Sequence, residues 1–169
     1  MNLKNIICWP PLLGGIGAGV TITILAYITF QSTLAGTNYG LWLAASFGSS
    51  VVVVFGYPDN EFSQPKNVLF GHLLCALVGI IFVTLIKISQ ARSIFFLTIG
   101  IAVGISVMLM MALKITHPPA GGNTIVVMLT QDSFQFLIFP IMVGAITIII
   151  GGVIYNRFIL KKKYPLKWF

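Results

Sequence analysis

The sequence predicts an all-α, polytopic transmembrane helix bundle, and three observations carry that prediction. Of the 169 residues, 57% are hydrophobic and only 8% charged, with a mean hydropathy of +1.00. A soluble domain carries about 25% charged residues, so this chain could not cover a water-facing surface. Four apolar runs reach the length of a membrane helix, about 20 residues. Two further apolar stretches are interrupted by small and polar residues, and these are expected as broken or re-entrant segments. A chain of this length suits one integral membrane domain over 1–169.

The first span is read at 12–30. Lys4 and the Pro10-Pro11 pair precede it. A cleaved signal peptide has a shorter apolar core and a small-residue cleavage site, so the run is expected to be retained. The other spans are read at 68–86, 94–113 and 136–154. Pro140 falls in the first turns of the last one, where it costs least or makes a modest kink. Asn67 is expected as the N-cap of the second span. The tail, 157–169, carries Arg157, Lys161, Lys162, Lys163 and Lys167; it reads as a cytoplasmic anchor on anionic lipid. Trp9, Trp42, Tyr155, Tyr164 and Trp168 read as interfacial anchors.

The interrupted stretches are 39–58, with Gly48-Ser49-Ser50 in its middle, and 117–130, "HPPAGGNTIVVMLT". Backbone that leaves the helix cannot face lipid, so such segments must be buried in protein or line a cavity. If both enter and leave on one face, the chain crosses four times. Lys4, Lys87, Arg92 and the tail cations then share one side, and Asp59, Glu61, Lys66, Lys114 and Asp132 share the other. That is the stronger asymmetry and would make the basic side cytoplasmic, with both termini inside. Six crossings is the competing reading; it moves Lys87 and Arg92 outside and places Asp59 in the cytoplasm. The net charge of +7 is therefore a membrane-orientation signal, and no nucleic-acid partner is expected.

An internal repeat is also expected. A shift of 73 positions superposes Gly48 on Gly121, Val53-Val54 on Val126-Val127, Asp59 on Asp132, Gly71 on Gly144 and Gly79 on Gly152. Repeats containing discontinuous helices are a common construction of transporters, and the breaks mark the site. Four crossings would make the halves parallel; six would make them inverted. Small residues also recur four apart, at Gly15 and Gly19, Gly71, Cys75 and Gly79, and Gly100 and Gly104, the spacing of close helix contact in lipid.

The chemistry expected at the breaks follows from helix ends. A helix that starts inside a membrane exposes unpaired N–H groups and the positive end of its dipole, and an anion suits that end. The substrate-binding candidates are Gly48, Ser49, Ser50, His72, His117, Pro118, Pro119, Ala120, Gly121, Gly122, Asn123 and Thr124. Glycine admits a ligand close to the backbone, and Ser49, Ser50, Asn123 and Thr124 can cap or donate. No Asp or Glu lies inside a confident span, as a cation site would normally require. His117 reads either as a helix-end cap or as a group for ligand contact, gating or proton handling. His72 reads as a bond to a neighbouring helix or as a substrate contact. Two isolated histidines make no metal site. Cys8 and Cys75 read as packing residues, and no cofactor is expected. No acid is available at depth to orient a histidine against Ser49 or Ser50, so the chain is not read as an enzyme.

"HPPAGGNT" (117–124), with "ASFGSSVVVVFGYPDNEFSQPKNVLFGH" (45–72), "YNR" (155–157) and the Tyr164-Pro165 ending, resembles the HPP family of integral membrane proteins. The resemblance covers nearly the whole chain. It implies four spans and a bacterial inner (plasma) membrane protein or an organellar relative, and some members are associated with nitrite transport. Some members also carry soluble regulatory domains, and none is expected beyond the tail here. The resemblance highlights Gly48, Ser49, Gln64, Pro65, Asn67, Gly71, His72, His117, Pro118, Pro119, Ala120 and Gly121. Gly122-Asn123 departs from the family's commoner small residue. The expectation is a channel or transporter for a small monovalent anion, nitrite first, in the lipid bilayer and able to form homo-oligomers. The alternative is a membrane scaffold or regulatory subunit without transport activity.

Overall fold

The computed structural model describes residues 9–34, 40–90, 92–131 and 133–168. Lys4, Cys8 and Asp132 lie outside the described residues, as do the side chains of Trp9, Trp42 and Arg92.

Among the described residues the fold is a helical bundle with six α-helices and no strand. The helices are α1 (Trp9–Leu34), α2 (Gly40–Gly56), α3 (Pro65–Ser89), α4 (Phe95–Ala112), α5 (Gly121–Thr130) and α6 (Val143–Val153). Pro10 and Pro11 occupy the first turn of α1, and Pro65 opens α3, where a missing N–H breaks no helical bond. The hydroxyls of Thr21, Thr23 and Thr29 on α1 donate to carbonyls four residues back, which satisfies them within the helix. α3 and α5 end at Gln90 and Gln131 in the left-handed conformation. π-type turns, Leu137–Met142 and Ile154–Ile159, flank α6. The first contains a kink: Phe139 is extended (φ −129, ψ 117), because a residue before proline is disfavoured in the helical region.

Four segments are long and apolar enough to cross a membrane: Pro11–Gln31, Pro65–Ser89, Phe95–Ala112 and Leu137–Ile159. α2 has 17 residues and spans about 25 Å at 1.5 Å per residue. α5 has only 10 and reaches about 15 Å, half the thickness of a hydrocarbon core.

The break expected at Gly48-Ser49-Ser50 is absent, for α2 runs through it. The Ser49 hydroxyl turns back onto the Ser46 carbonyl at 2.9 Å, and the Ser50 hydroxyl lies 3.0 Å from the same carbonyl, so neither draws hydrogen bonds away from the helix. The interruption at 117–130 takes the form of a tight turn, Pro118–Ala120, that feeds directly into α5. Asn67 is not a cap either. Gln64 holds the N-cap position, and Asn67 lies one turn in and donates to the Thr116 carbonyl at 2.9 Å.

Contacts fix the helix directions. Tyr164 Oη donates to the Ser63 carbonyl (2.7 Å), and Leu166 N–H donates to Gln64 Oε1 (2.8 Å). The basic tail therefore lies on the segment that carries Asp59 and Glu61. Pro11, Gly56, Tyr57, Leu160 and Lys162 line one cleft at this same tail end. At the far end Lys87 Nζ donates to the Gln131 carbonyl at 3.1 Å. α1, α3 and α5 run away from the tail end, and α2, α4 and α6 run towards it. The sorting that placed Asp59, Glu61, Lys66 and Lys114 opposite the tail is thus corrected: these residues share its end, and Lys87 stands at the other. Tyr155 and Tyr164 are buried rather than interfacial.

α2 lies parallel to α6, and α3 parallel to α5, through close approaches at glycine. A Cβ on Gly144 would overlap the Phe47 ring, and one on Gly152 would overlap Val54. A Cβ on Gly71 would press on His117 Cβ (2.9 Å) and lie 3.5 Å from Ala120, and one on Gly79 would press on Val127 (3.0 Å). Gly71 and Gly144, Gly79 and Gly152, Phe47 and Ala120, and Val54 and Val127 are each 73 positions apart. Gly15, Gly19, Gly100 and Gly104 have open space at Cβ and make no such contact.

Candidate functional site

The tight turn and the start of α5 press against α3 at Gly71, and this brings four polar side chains from α2, α3, the turn and α5 together. Ser50, His72, His117 and Asn123 are all 1% exposed or less. Ser50 Oγ lies 2.8 Å from His72 Nε2 and 2.9 Å from His117 Nε2. His117 Nδ1 lies 2.7 Å from the Phe62 carbonyl, and Asn123 Nδ2 lies 2.7 Å from His72 Nδ1. The two imidazole centroids are 5.1 Å apart, and the Phe47 ring sits 4.6 Å from that of His72.

Partner chemistry assigns the hydrogens. A carbonyl only accepts, so His117 carries its proton on Nδ1 and leaves Nε2 bare. The Asn123 amide also donates to the His72 carbonyl at 3.3 Å, which orients its nitrogen towards His72 Nδ1. His72 therefore carries its proton on Nε2. The result is a directed chain: Asn123 donates to His72, His72 to Ser50, Ser50 to His117, and His117 to the Phe62 carbonyl. Ser50 has one hydrogen and a second acceptor for it, the Ser46 carbonyl at 3.0 Å. His117 lies in the turn between α4 and α5, outside the four spanning segments. Burial pushes its pKa down to about 4, against a smaller upward effect of the Phe62 carbonyl.

A second polar layer lies one helical turn along. Thr124 Oγ1 donates to the Cys75 carbonyl (2.9 Å) and pairs with Ser106 Oγ (2.8 Å). Asn123 and Thr124 thus bond sideways into α3 and α4 rather than capping α5. Ala120 is buried against Gly71, while Gly121 and Gly122 are half-buried at the start of α5. Pro118 is exposed, and with Pro119 it forms the turn. Gly48 and Ser49 stand apart from the cluster. Ser49 is exposed, and a Cβ on Gly48 would meet nothing within 4 Å. Two converging helix starts are therefore not found. One helix start, α5, meets the side of a continuous α2.

Both imidazoles are oriented by neutral groups, an amide and a carbonyl, so Ser50 has no carboxylate-backed base of the kind a hydrolytic triad uses. Among the described residues no three His, Cys, Asp or Glu side chains come together to hold a metal. Ser106, the Phe62 carbonyl and Ser46 belong to the site and were missed from sequence. Ser106 was visible as one of two hydroxyls, with Thr98, in a greasy helix, but a backbone carbonyl leaves no trace in residue type.

The chain matches the HPP transmembrane-region family model over residues 6–165. It is 31% identical over 151 residues to a transmembrane protein of Dictyostelium discoideum, covering 87% of this chain and 52% of that protein. A second transmembrane protein of the same organism is 29% identical over 154 residues, covering 88% of this chain and 48% of the relative. The chain spans about half the length of these curated relatives. No solved structure matches it.

Proposed function

The chain belongs to the HPP transmembrane family, and from that premise we propose that it is a membrane transporter for a small monovalent anion, nitrite first. The observation that carries this reading is where the polar cluster sits. α1–α2–α3 and α4–α5–α6 run in opposite senses, and the cluster lies where the two sets meet. Ser50 and Asn123, one from each half, are 73 positions apart. An inverted pair of halves around a buried polar site is a common transporter design. The choice of an anion rests on chemistry. The cluster offers hydroxyl, amide and imidazole donors beside the start of α5, and no carboxylate bonds to any of its ring nitrogens. Neutral donors hold an anion weakly enough to release it.

In this reading the tail end is cytoplasmic, because Lys66, Lys114, Arg157, Lys161, Lys162, Lys163 and Lys167 all gather there. Anion flux into liposomes holding the purified protein tests the proposal. Uptake of nitrite above protein-free vesicles supports it, and failure of nitrite, formate and chloride all to move sinks it.

One observation favours a scaffold or regulatory subunit instead: the cluster is sealed, and its members satisfy one another. Gly121→Leu separates the readings. A Cβ there meets nothing within 4 Å, so the first carbon of the new side chain has room, and a melt of the variant checks that it folds. A transporter should then lose flux, whereas a scaffold has none to lose.

A further inference from the structure

We infer that His117 takes up a proton together with the transported anion, so that the pair crosses as a neutral unit. The inference rests on the anion-transport reading above and goes beyond it by naming the co-transported ion.

The argument starts from a count of donors and acceptors. With both imidazoles neutral, the single Ser50 hydrogen faces two acceptors, His117 Nε2 at 2.9 Å and the Ser46 carbonyl at 3.0 Å, and it satisfies one of them fully. One added proton on His117 Nε2 completes the set. His117 then donates from Nδ1 to the Phe62 carbonyl and from Nε2 to Ser50 Oγ. Ser50 accepts from both imidazoles and gives its own hydrogen to Ser46. The site has hydrogen-bonding room for one proton more than its neutral state holds.

Among the described residues it lacks a countercharge. The groups that face His117 are Ser50 from α2, Gly71 and His72 from α3, the Phe62 carbonyl from the 57–64 segment, and Ala120 from its own turn. From α5, Asn123 reaches it only through His72. Asp59, Glu61 and Lys114 are exposed at the same end, and Lys66 is half-exposed there. A buried imidazolium without a partner is costly, so the proton is welcome only when a negative solute arrives beside it. In this inference the solute arrives beside half-buried Gly121 and Gly122 at the start of α5, where the Gly121 N–H bonds the Pro118 and Pro119 carbonyls until it does.

The transfer balances without any heavy-atom bond changing. Ser50 turns its hydrogen from His117 to the Ser46 carbonyl, and the incoming proton binds the freed His117 Nε2. His72 keeps its proton on Nε2, and His117 ends as the cation. When the anion leaves, His117 releases the Nε2 proton and Ser50 turns back. One proton has then accompanied the anion.

The test uses the purified full chain in liposomes with a pH dye inside, a nitrite gradient, and the membrane potential clamped with potassium and valinomycin. Protein-free vesicles give the background leak of nitrous acid. The expected result is lumen acidification at about one proton per nitrite, with a rate that changes less than about twofold between inside-negative and inside-positive clamps. His117→Gln should slow the coupled flux at least about tenfold. Nitrite entry driven by an inside-positive potential without acidification overturns the inference and leaves anion transport standing. Absence of any anion flux overturns the transport reading and the inference with it. A second measurement needs no variant: nitrogen-15 histidine NMR of the wild type in bilayers. It should show His72 protonated on Nε2 and His117 on Nδ1, with His117 becoming doubly protonated in saturating nitrite. A His117 that stays neutral there overturns the inference.

Discussion

Two adjacent serines on α2 offer the sharpest test of the site, because Ser50 is buried in the cluster and Ser49 is exposed beside it. Ser50→Ala removes the hydroxyl that lies 2.8 Å from one imidazole nitrogen and 2.9 Å from another. Both rings are fully buried, so the His72 Nε2 proton and the His117 Nε2 lone pair are both left unpaired. Each orphaned group costs roughly 1–3 kcal/mol, and the better helix propensity of alanine returns about 0.5 kcal/mol. The net loss should be about 2–5 kcal/mol, a fall in melting temperature of roughly 5–15 °C for a domain of this size. Ser49→Ala loses only a bond to its own helix from an exposed position and should lie within about 0.5 kcal/mol of wild type. Melting of the purified variants in detergent micelles reads both. A Ser50→Ala protein as stable as wild type, or a Ser49→Ala protein equally weakened, would refute the account of the cluster.

Gly144→Ala should destabilise by about 1–3 kcal/mol through overpacking against the Phe47 ring, whereas Gly100→Ala, with open space at Cβ, should be neutral or slightly stabilising; the same melts compare them. Cysteines introduced by Asp59→Cys and Lys163→Cys should react with an impermeant thiol reagent from the same face of intact vesicles, and Lys87→Cys from the opposite face, since the tail folds onto the 57–64 segment; labelling of the first two from opposite faces contradicts the helix directions. His117 should make stability fall with pH. Its folded-state pKa is pushed down to about 4 from an ordinary value of about 6.5. Above about pH 7 both states are neutral and it contributes nothing. Between about 6.5 and 4 the unfolded chain binds a proton that the folded one refuses, at a cost that grows to the order of 3 kcal/mol. His117→Gln should reduce that slope in melts run from pH 7.5 to 4.5.

What the sequence alone determined is what depends on composition and local chemistry. A chain with so few charges had to be a membrane bundle, and the four long apolar runs had to be helices, because only internal hydrogen bonding satisfies a backbone in lipid. Pro118-Pro119 had to end one helix and Gly121 could begin another, as φ restriction and the missing N–H dictate. Gly71 and Gly79 were legible as packing positions from their spacing, whereas Gly15, Gly19, Gly100 and Gly104 show the same spacing and have open space at Cβ. The serines misled, because Gly48-Ser49-Ser50 reads as a break until Ser46 supplies an acceptor within the same helix and leaves the ladder intact. Tertiary structure alone decided that Ser50 rather than Ser49 enters the core, that His72 and His117 share one hydroxyl, and that the Phe62 carbonyl sets the tautomer of His117. It also decided which end Asp59 occupies, through the bonds of Tyr164 and Leu166. Those are contacts between residues far apart in the chain. Residue type and spacing carry no record of which distant carbonyl or ring a side chain will meet once the helices are packed.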